Sequence, residues 1–303
     1  MAFNQAERQG ACFALCAYTI WGLAPLYFKS VGAVDPLEII AHRVTWSAAL
    51  LVGILALLGK LKELRIEGKT LGLLMVSTTL LACNWFIFVF AVLNGQIIET
   101  SLGYFINPLV SVFLGLLFLG ERLRSTQWIA LAIALTGVLI QLVFLGKIPL
   151  ISLALALSFG FYGLIRKRMN LPSVSGLTIE TLLALPFALG YLAYRHQMGN
   201  LAFSNGSFNL DLLLMLGGAI TAMPLLFFAS AVVRLSLTAV GIFQYLAPSL
   251  ALMLAIFFFD EPFSMVQLIS FVFVWISIVI FTAEAFHHPR APPPAHCPLF
   301  TQS

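Results

Sequence analysis

Ten apolar stretches, each close to twenty residues long, recur along this chain at 10–28, 38–58, 70–93, 101–119, 126–145, 148–165, 177–195, 211–231, 238–259 and 264–286. At helical rise, about 20 residues cross a hydrocarbon core of roughly 30 Å. A closed β-barrel is the other way to satisfy backbone polar groups in lipid, but it needs short segments of alternating polarity. Runs such as LVSVFLGLLFLG do not alternate. The expectation is therefore an all-α membrane protein of about ten transmembrane helices. Composition excludes the soluble alternative: 61% of residues are hydrophobic and 9% charged, against roughly 45–50% and about 25% in soluble domains. The small net charge of +4 lies in clusters between the apolar runs, which suits a lipid bilayer and a small molecule as partners and gives no reason to expect nucleic acid.

Basic residues are retained on the cytoplasmic side of a membrane, so their distribution orients the spans. One set of connections and ends carries Arg8, Lys60, Lys62, Arg65, Lys69, Arg122, Arg124, Arg166, Lys167, Arg168, Arg234 and Arg290, twelve in all; the opposite set carries only Lys29, Lys147 and Arg195, with Arg43 inside a span. An even count of spans with both termini cytoplasmic preserves this separation. The polar N-terminal segment runs into the first span without a small-residue cleavage pattern and reads as a retained helix. Residues 287–303 are proline-rich and read as a disordered cytoplasmic tail. Cys12, Cys16, Cys83 and Cys297 are too few and too scattered for a metal site and read as packing residues; no metal or other cofactor is expected.

An offset of 140 residues aligns the two halves of the chain. Pro108 falls on Pro248 and Glu121 on Glu261, each pair keeping a spacing of thirteen, while Phe88, Ala91 and Val92 fall on Phe228, Ala231 and Val232. At an offset of 141, Gly22 and Leu23 meet Gly163 and Leu164, with Trp21 opposite Tyr162 and Tyr18 opposite Phe159. This divides the chain into a first five-helix unit at 1–145 and a second at 146–286. An odd number of spans per unit inverts the second in the membrane, and two such units can exchange outward-open and inward-open states around a central site. Prolines at 25, 108, 186, 224 and 248 fall inside spans, where each removes a backbone hydrogen bond.

An arginine at a helix centre costs about 2.5–3.5 kcal/mol on insertion scales, so ionisable groups in spans need a partner, a cavity or an escape to the interface. The second span reads DPLEIIAHRVTWSAALL. At about 100° per residue, Glu38, His42 and Thr45 share a face and Arg43 lies about a third of a turn away. Either His42 and Arg43 line the outer half of a cavity and attract an anionic group such as a carboxylate, or Glu38 and Arg43 sit at headgroup level with the arginine snorkelling. Asn84 and Trp85 lie well inside the third span, and Tyr104, Asn107, Gln244 and Tyr245 stand beside the two repeat-related prolines. Together they suggest a polar centre able to hold rings or amino groups, although membrane-boundary tyrosines are also ordinary anchors. The candidate substrate-binding set is thus His42, Arg43, Asn84, Trp85, Tyr104, Asn107, Gln244 and Tyr245, with Glu38 and Glu180 as candidate charge partners. Glu121 and Glu261 read as structural helix-end groups, and the run Arg166, Lys167, Arg168 as a topology signal with some affinity for anionic lipid.

The stretches AYTIWGLAPLYFK, EIIAHRVTWS, NWFIFVFAVLNGQIIETSLGYFINPLVSVFLGLLFLGERLRSTQW, SFGFYGLIRKR and GIFQYLAPSLALMLAIFFFDEPFS together resemble the RarD branch of the EamA drug/metabolite transporter superfamily, over roughly residues 8–286. The resemblance implies a ten-helix carrier of the bacterial cytoplasmic membrane with cytoplasmic termini. It supplies no residue roles.

The function expected is secondary transport of small metabolites or drugs, by export or exchange, with a channel or lipid-handling protein as the alternative. The chain lacks a GxxxxGK[ST] element for nucleotide hydrolysis and an HExxH zinc motif, so an enzyme is not expected. A monomer or homodimer is the assembly expected.

Overall fold

A computed structural model describes residues 5–66, 68–94, 96–259 and 264–287; the tail beyond 287 and Glu261 lie outside the described residues. The chain folds into α1 (Gln5–Ser30), α2 (Pro36–Leu57), α3 (Lys69–Leu93), α4 (Ile97–Leu119), α5 (Ser125–Leu145), α6 (Leu150–Met169), α7 (Ser173–Gln197), α8 (Phe208–Arg234), α9 (Leu237–Gln244), α10 (Leu246–Phe258) and α11 (Met265–His287), with a short 3₁₀ turn at Leu61–Leu64. No strand occurs among the described residues. Ten spans in these helices are long and apolar enough to cross a bilayer, α9 and α10 together making the ninth.

The ninth span is broken at Tyr245 because Pro248 has no N–H to give the carbonyl of Gln244. Its repeat-mate Pro108 removes the same bond from the carbonyl of Tyr104, yet α4 stays continuous. Elsewhere the ends follow local chemistry. Asp35 caps α2, accepting from the N–H groups of Leu37 at 3.0 Å and Glu38 at 3.1 Å, with Pro36 in the first turn. Glu121, just past α4, accepts from the N–H of Leu237 at 2.6 Å and of Thr238 at 2.9 Å, so it caps α9 on the other half. The Lys167 ammonium donates to the carbonyls of Val232 and Leu235 at the end of α8. In the α2–α3 connection, the Ser175 hydroxyl hydrogen-bonds Glu63 and, with Lys60, holds its carboxyl below the ordinary carboxylate range.

Packing between helices is reciprocal under the repeat. α1 lies on α8 as α6 lies on α3; α2 lies on α8 as α7 lies on α3; α4 lies on α6 as α9 and α10 lie on α1. The contacts α2 with α7, α4 with α9 and α5 with α11 are self-paired, and with these the largest helix contacts are accounted for. An inverted duplication produces this pattern, because a pseudo-twofold axis in the membrane plane must map every contact onto another or onto itself.

Small residues set the closest approaches. A Cβ on Gly218 would stand 2.5 Å from the Trp46 backbone, and one on Gly241 would stand 2.9 Å from the carbonyl oxygen of Pro108. These are the α2–α8 and α4–α9 crossings, where lipid offers no hydrophobic drive and backbone proximity supplies the packing. Exposed Phe86, Phe113, Phe144, Phe187 and Phe257 cover the outside, as a lipid-facing surface requires.

Candidate functional site

A cavity of about 510 Å³ lies between the two halves, within the range of small-molecule sites. Its walls come from α1, α2, α3, α4, α5, α6, α8, α9, α10 and α11. At mid-bundle it is bounded by Tyr18, Trp21, Phe159 and Gln244; toward one end its lining continues to Thr100, Gln141, Phe259 and Gln267, all within a turn or so of helix ends away from the N terminus. Toward the other end an aromatic cluster fills the bundle. Tyr162 stacks on Phe228 with centroids 5.8 Å apart, Phe159 lies 5.0 Å from Phe228, and Tyr18 lies 5.4 Å from Trp21.

Arg43 is the only formally charged side chain among the described residues lining the cavity. Its Nε donates to the Thr221 hydroxyl at 2.6 Å, and its guanidinium carbon lies 5.3 Å from the Phe28 ring and 5.2 Å from the Trp85 ring. The arginine reaches α8 because Gly217 presents no side chain: a Cβ there would lie 3.2 Å from the Arg43 Cγ. Thr221 in turn donates to the Gly217 carbonyl at 2.8 Å. Arg43 makes no ion pair with any described carboxylate.

Six of the eight candidate residues meet here: Arg43, Asn84, Trp85, Tyr104, Asn107 and Gln244. The Asn84 amide also fastens α3 to α6, donating to the Leu155 carbonyl and the Ser158 hydroxyl, both at 2.9 Å. Gln244 Oε1 accepts from the Ser111 hydroxyl at 3.3 Å. Asn107 Oδ1 is buried with no hydrogen-bond partner among the described residues.

His42 and Tyr245 do not line the cavity. The His42 ring packs 4.9 Å from Phe203, because the α7–α8 connection folds back over the start of α2, and its Nε2 lies 3.8 Å from Glu38. Tyr245 is fully buried and donates to the Phe105 carbonyl at 3.3 Å. The candidate charge partners are likewise committed elsewhere. Glu38 accepts from the Ala202 N–H at 2.7 Å and pairs with Arg195 at 3.3 Å. Glu180 accepts from the Ser77 hydroxyl at 2.5 Å and the Tyr162 hydroxyl at 3.3 Å, and pairs with Arg166 at 3.7 Å. Arg166, the first of the basic run read as a topology signal, is turned inward: it is 2% exposed, lying over Gly176 on α7.

Thr221, Tyr18, Trp21, Gln141 and Gln267 also line the cavity and were not among the expected residues. The paired aromatics at 18 and 21 carried a signal, since aromatic character is kept at their repeat positions; Thr221 in an apolar run carried none.

Comparison with known proteins places these observations in a family. The profile of the EamA-like transporter family matches twice, at residues 8–143 and 147–283. An uncharacterized transporter of Vibrio cholerae is 44% identical over 286 residues, covering 93% of this chain and 94% of that protein. Protein RarD of Escherichia coli K12 is 42% identical over 286 residues, covering 93% and 97%, and a Bacillus subtilis protein, the uncharacterized transporter YojE, is 42% identical over 291 residues, covering 94% and 97%. A crystal structure aligns with a TM-score of 0.73 over 92% of this chain and 99% of that one, at 20% identity, which is a likeness of fold.

Proposed function

This chain belongs to the EamA-like transporter family, and from that premise we propose that it is a secondary transporter moving small molecules by alternating access, with the cavity between its halves as the substrate site. The observation that carries this reading is the cavity's asymmetry within a symmetric frame. It extends from mid-bundle to one end and is blocked toward the other by the Tyr18, Trp21, Phe159, Tyr162 and Phe228 rings, with the Arg166–Glu180 pair beyond them. Two inverted, similarly packed halves support a second state of comparable energy in which the blocked and open ends exchange. With the basic residues placed in the cytoplasm, the termini are cytoplasmic and the described state faces outward, in a bacterial cytoplasmic membrane.

The test is two-sided accessibility. In a cysteine-free background, Ala251→Cys places a thiol on the cavity wall. An impermeant thiol reagent applied to oriented vesicles is expected to label it from the outside, and from the inside as the protein exchanges states. Labelling confined to one side, under every ligand condition, would contradict alternation.

A further inference from the structure

We propose that the ligand of this cavity is an organic monoanion, a carboxylate or similar acid carried on a flat apolar body, and that Arg43 is the residue that selects it. The inference rests on the transport reading only in taking the cavity as the substrate site.

The charge balance is the starting point. Among the described residues, the lining holds one positive side chain and no negative one. The described acids at that end of the bundle are committed elsewhere: Asp35 to the cap of α2 and the Tyr191 hydroxyl, Glu38 to Arg195 and the Ala202 N–H, Glu99 to Lys147, Asp211 to the Ser204 N–H. A second cation stands at the same end, where the Lys29 ammonium lies 3.9 Å from the centroid of the cavity-lining Phe259 ring. Within the lining an anion meets the Arg43 guanidinium, and a cation meets no carboxylate among the described residues.

The second observation is how Arg43 is held. Its one hydrogen bond uses Nε, to Thr221, while the Phe28 and Trp85 rings flank the guanidinium. Both Nη groups are left without an acceptor among the described residues. That end of the guanidinium is the fork that matches two carboxylate oxygens, and an ammonium could not replace it. A charge kept unpaired inside a span is costly; a ligand carboxylate supplies the missing counter-charge. The remaining surface, with Trp21, Trp85 and Tyr104 among apolar neighbours, suits a flat apolar body.

The experiment uses three isosteric probes on the purified full-length protein in detergent: 3-phenylpropionate, its neutral amide, and 3-phenylpropylamine. Affinity is read by calorimetry and by the rise in melting temperature. The acid is expected to bind about tenfold or more tightly than the amide, with the amine weakest. Arg43→Gln is expected to abolish the preference, and Arg43→Lys to keep part of it. Failure of the acid to bind, or equal or tighter binding of the amide or amine by the wild-type protein, overturns the proposal whether or not the variants fold. A preference unchanged in folded Arg43→Gln overturns the role of Arg43. Saturable flux of neutral or cationic compounds in preference to acids, in proteoliposomes, overturns anion selection while leaving transport standing. Selective binding of the acid without any flux does the reverse.

Discussion

The Tyr245 hydroxyl donates a hydrogen bond to the carbonyl oxygen of Phe105 at 3.3 Å, and the two residues lie 140 positions apart, the offset that aligns the two halves. Under a twofold relation a residue approaches its own mate only near the axis, so the α4–α9 crossing marks that axis. The close contact of Gly241 with the Pro108 carbonyl lies at the same crossing. The cavity opens beside this crossing and is lined by another mated pair, Tyr104 and Gln244.

Tyr245 accordingly stands at the hub of the fold, outside the cavity lining. Tyr245→Phe removes one net hydrogen bond, worth about 0.5–1.5 kcal/mol, and is expected to lower the melting temperature by about 2–4 °C while leaving the affinity of a cavity ligand unchanged. A large loss of affinity at constant stability would return Tyr245 to the binding site.

Arg166 and Glu180 are both nearly fully buried, and each is the other's ion-pair partner. Removing one strands the other, at a cost of about 3–5 kcal/mol, whereas removing both costs far less. Glu180→Ala is therefore expected to destabilise strongly, and the double substitution Arg166→Met with Glu180→Leu to recover most of the loss, as read from a thermodynamic cycle of unfolding in detergent. Additive losses would mean that the pair is not coupled.

Close approach of α8 to α2 holds Arg43 against Thr221. Gly218→Ala places a methyl 2.5 Å from the Trp46 backbone and is expected to cost about 1–3 kcal/mol through overpacking. Gly53→Ala, on α2, meets nothing within 4 Å and should be close to neutral. The comparison is made by melting temperature, and equal effects would contradict the account of this crossing.

Orientation is tested by labelling. In a cysteine-free background, an impermeant reagent added outside intact cells is expected to reach a cysteine at exposed Asn200 and spare one at exposed Lys62. The reverse pattern would invert the topology and make the described cavity inward-facing.

The spans were legible because lipid imposes length and apolarity on every helix that crosses it, and the inverted frame was legible in Pro108, Pro248 and the parity of five. Within the site, Arg43, Asn84, Trp85, Tyr104, Asn107 and Gln244 could be named from polarity inside apolar runs. His42 and Glu38 shared that signal, but the aperiodic α7–α8 connection folds back over them through Ala202 and Phe203. The burial of Arg166 was hidden by its neighbours, since a run of three basic residues reads as a topology signal whichever of them turns inward. Glu180 carried the clue, an acid seven residues inside α7, whose counter-charge stands on the preceding helix. Thr221 is ordinary in a membrane helix until the Gly217 gap brings an arginine to it.

The central claim is that this cavity carries its ligand across the membrane by exchanging access. It is tested most directly by counterflow in proteoliposomes, using the compound that most raises the melting temperature of the purified protein. Vesicles preloaded with unlabelled compound should accumulate the labelled form transiently above equilibrium, at a rate that saturates with concentration. Non-saturating equilibration without overshoot, as a channel would give, or no flux of a ligand shown to bind, would contradict it.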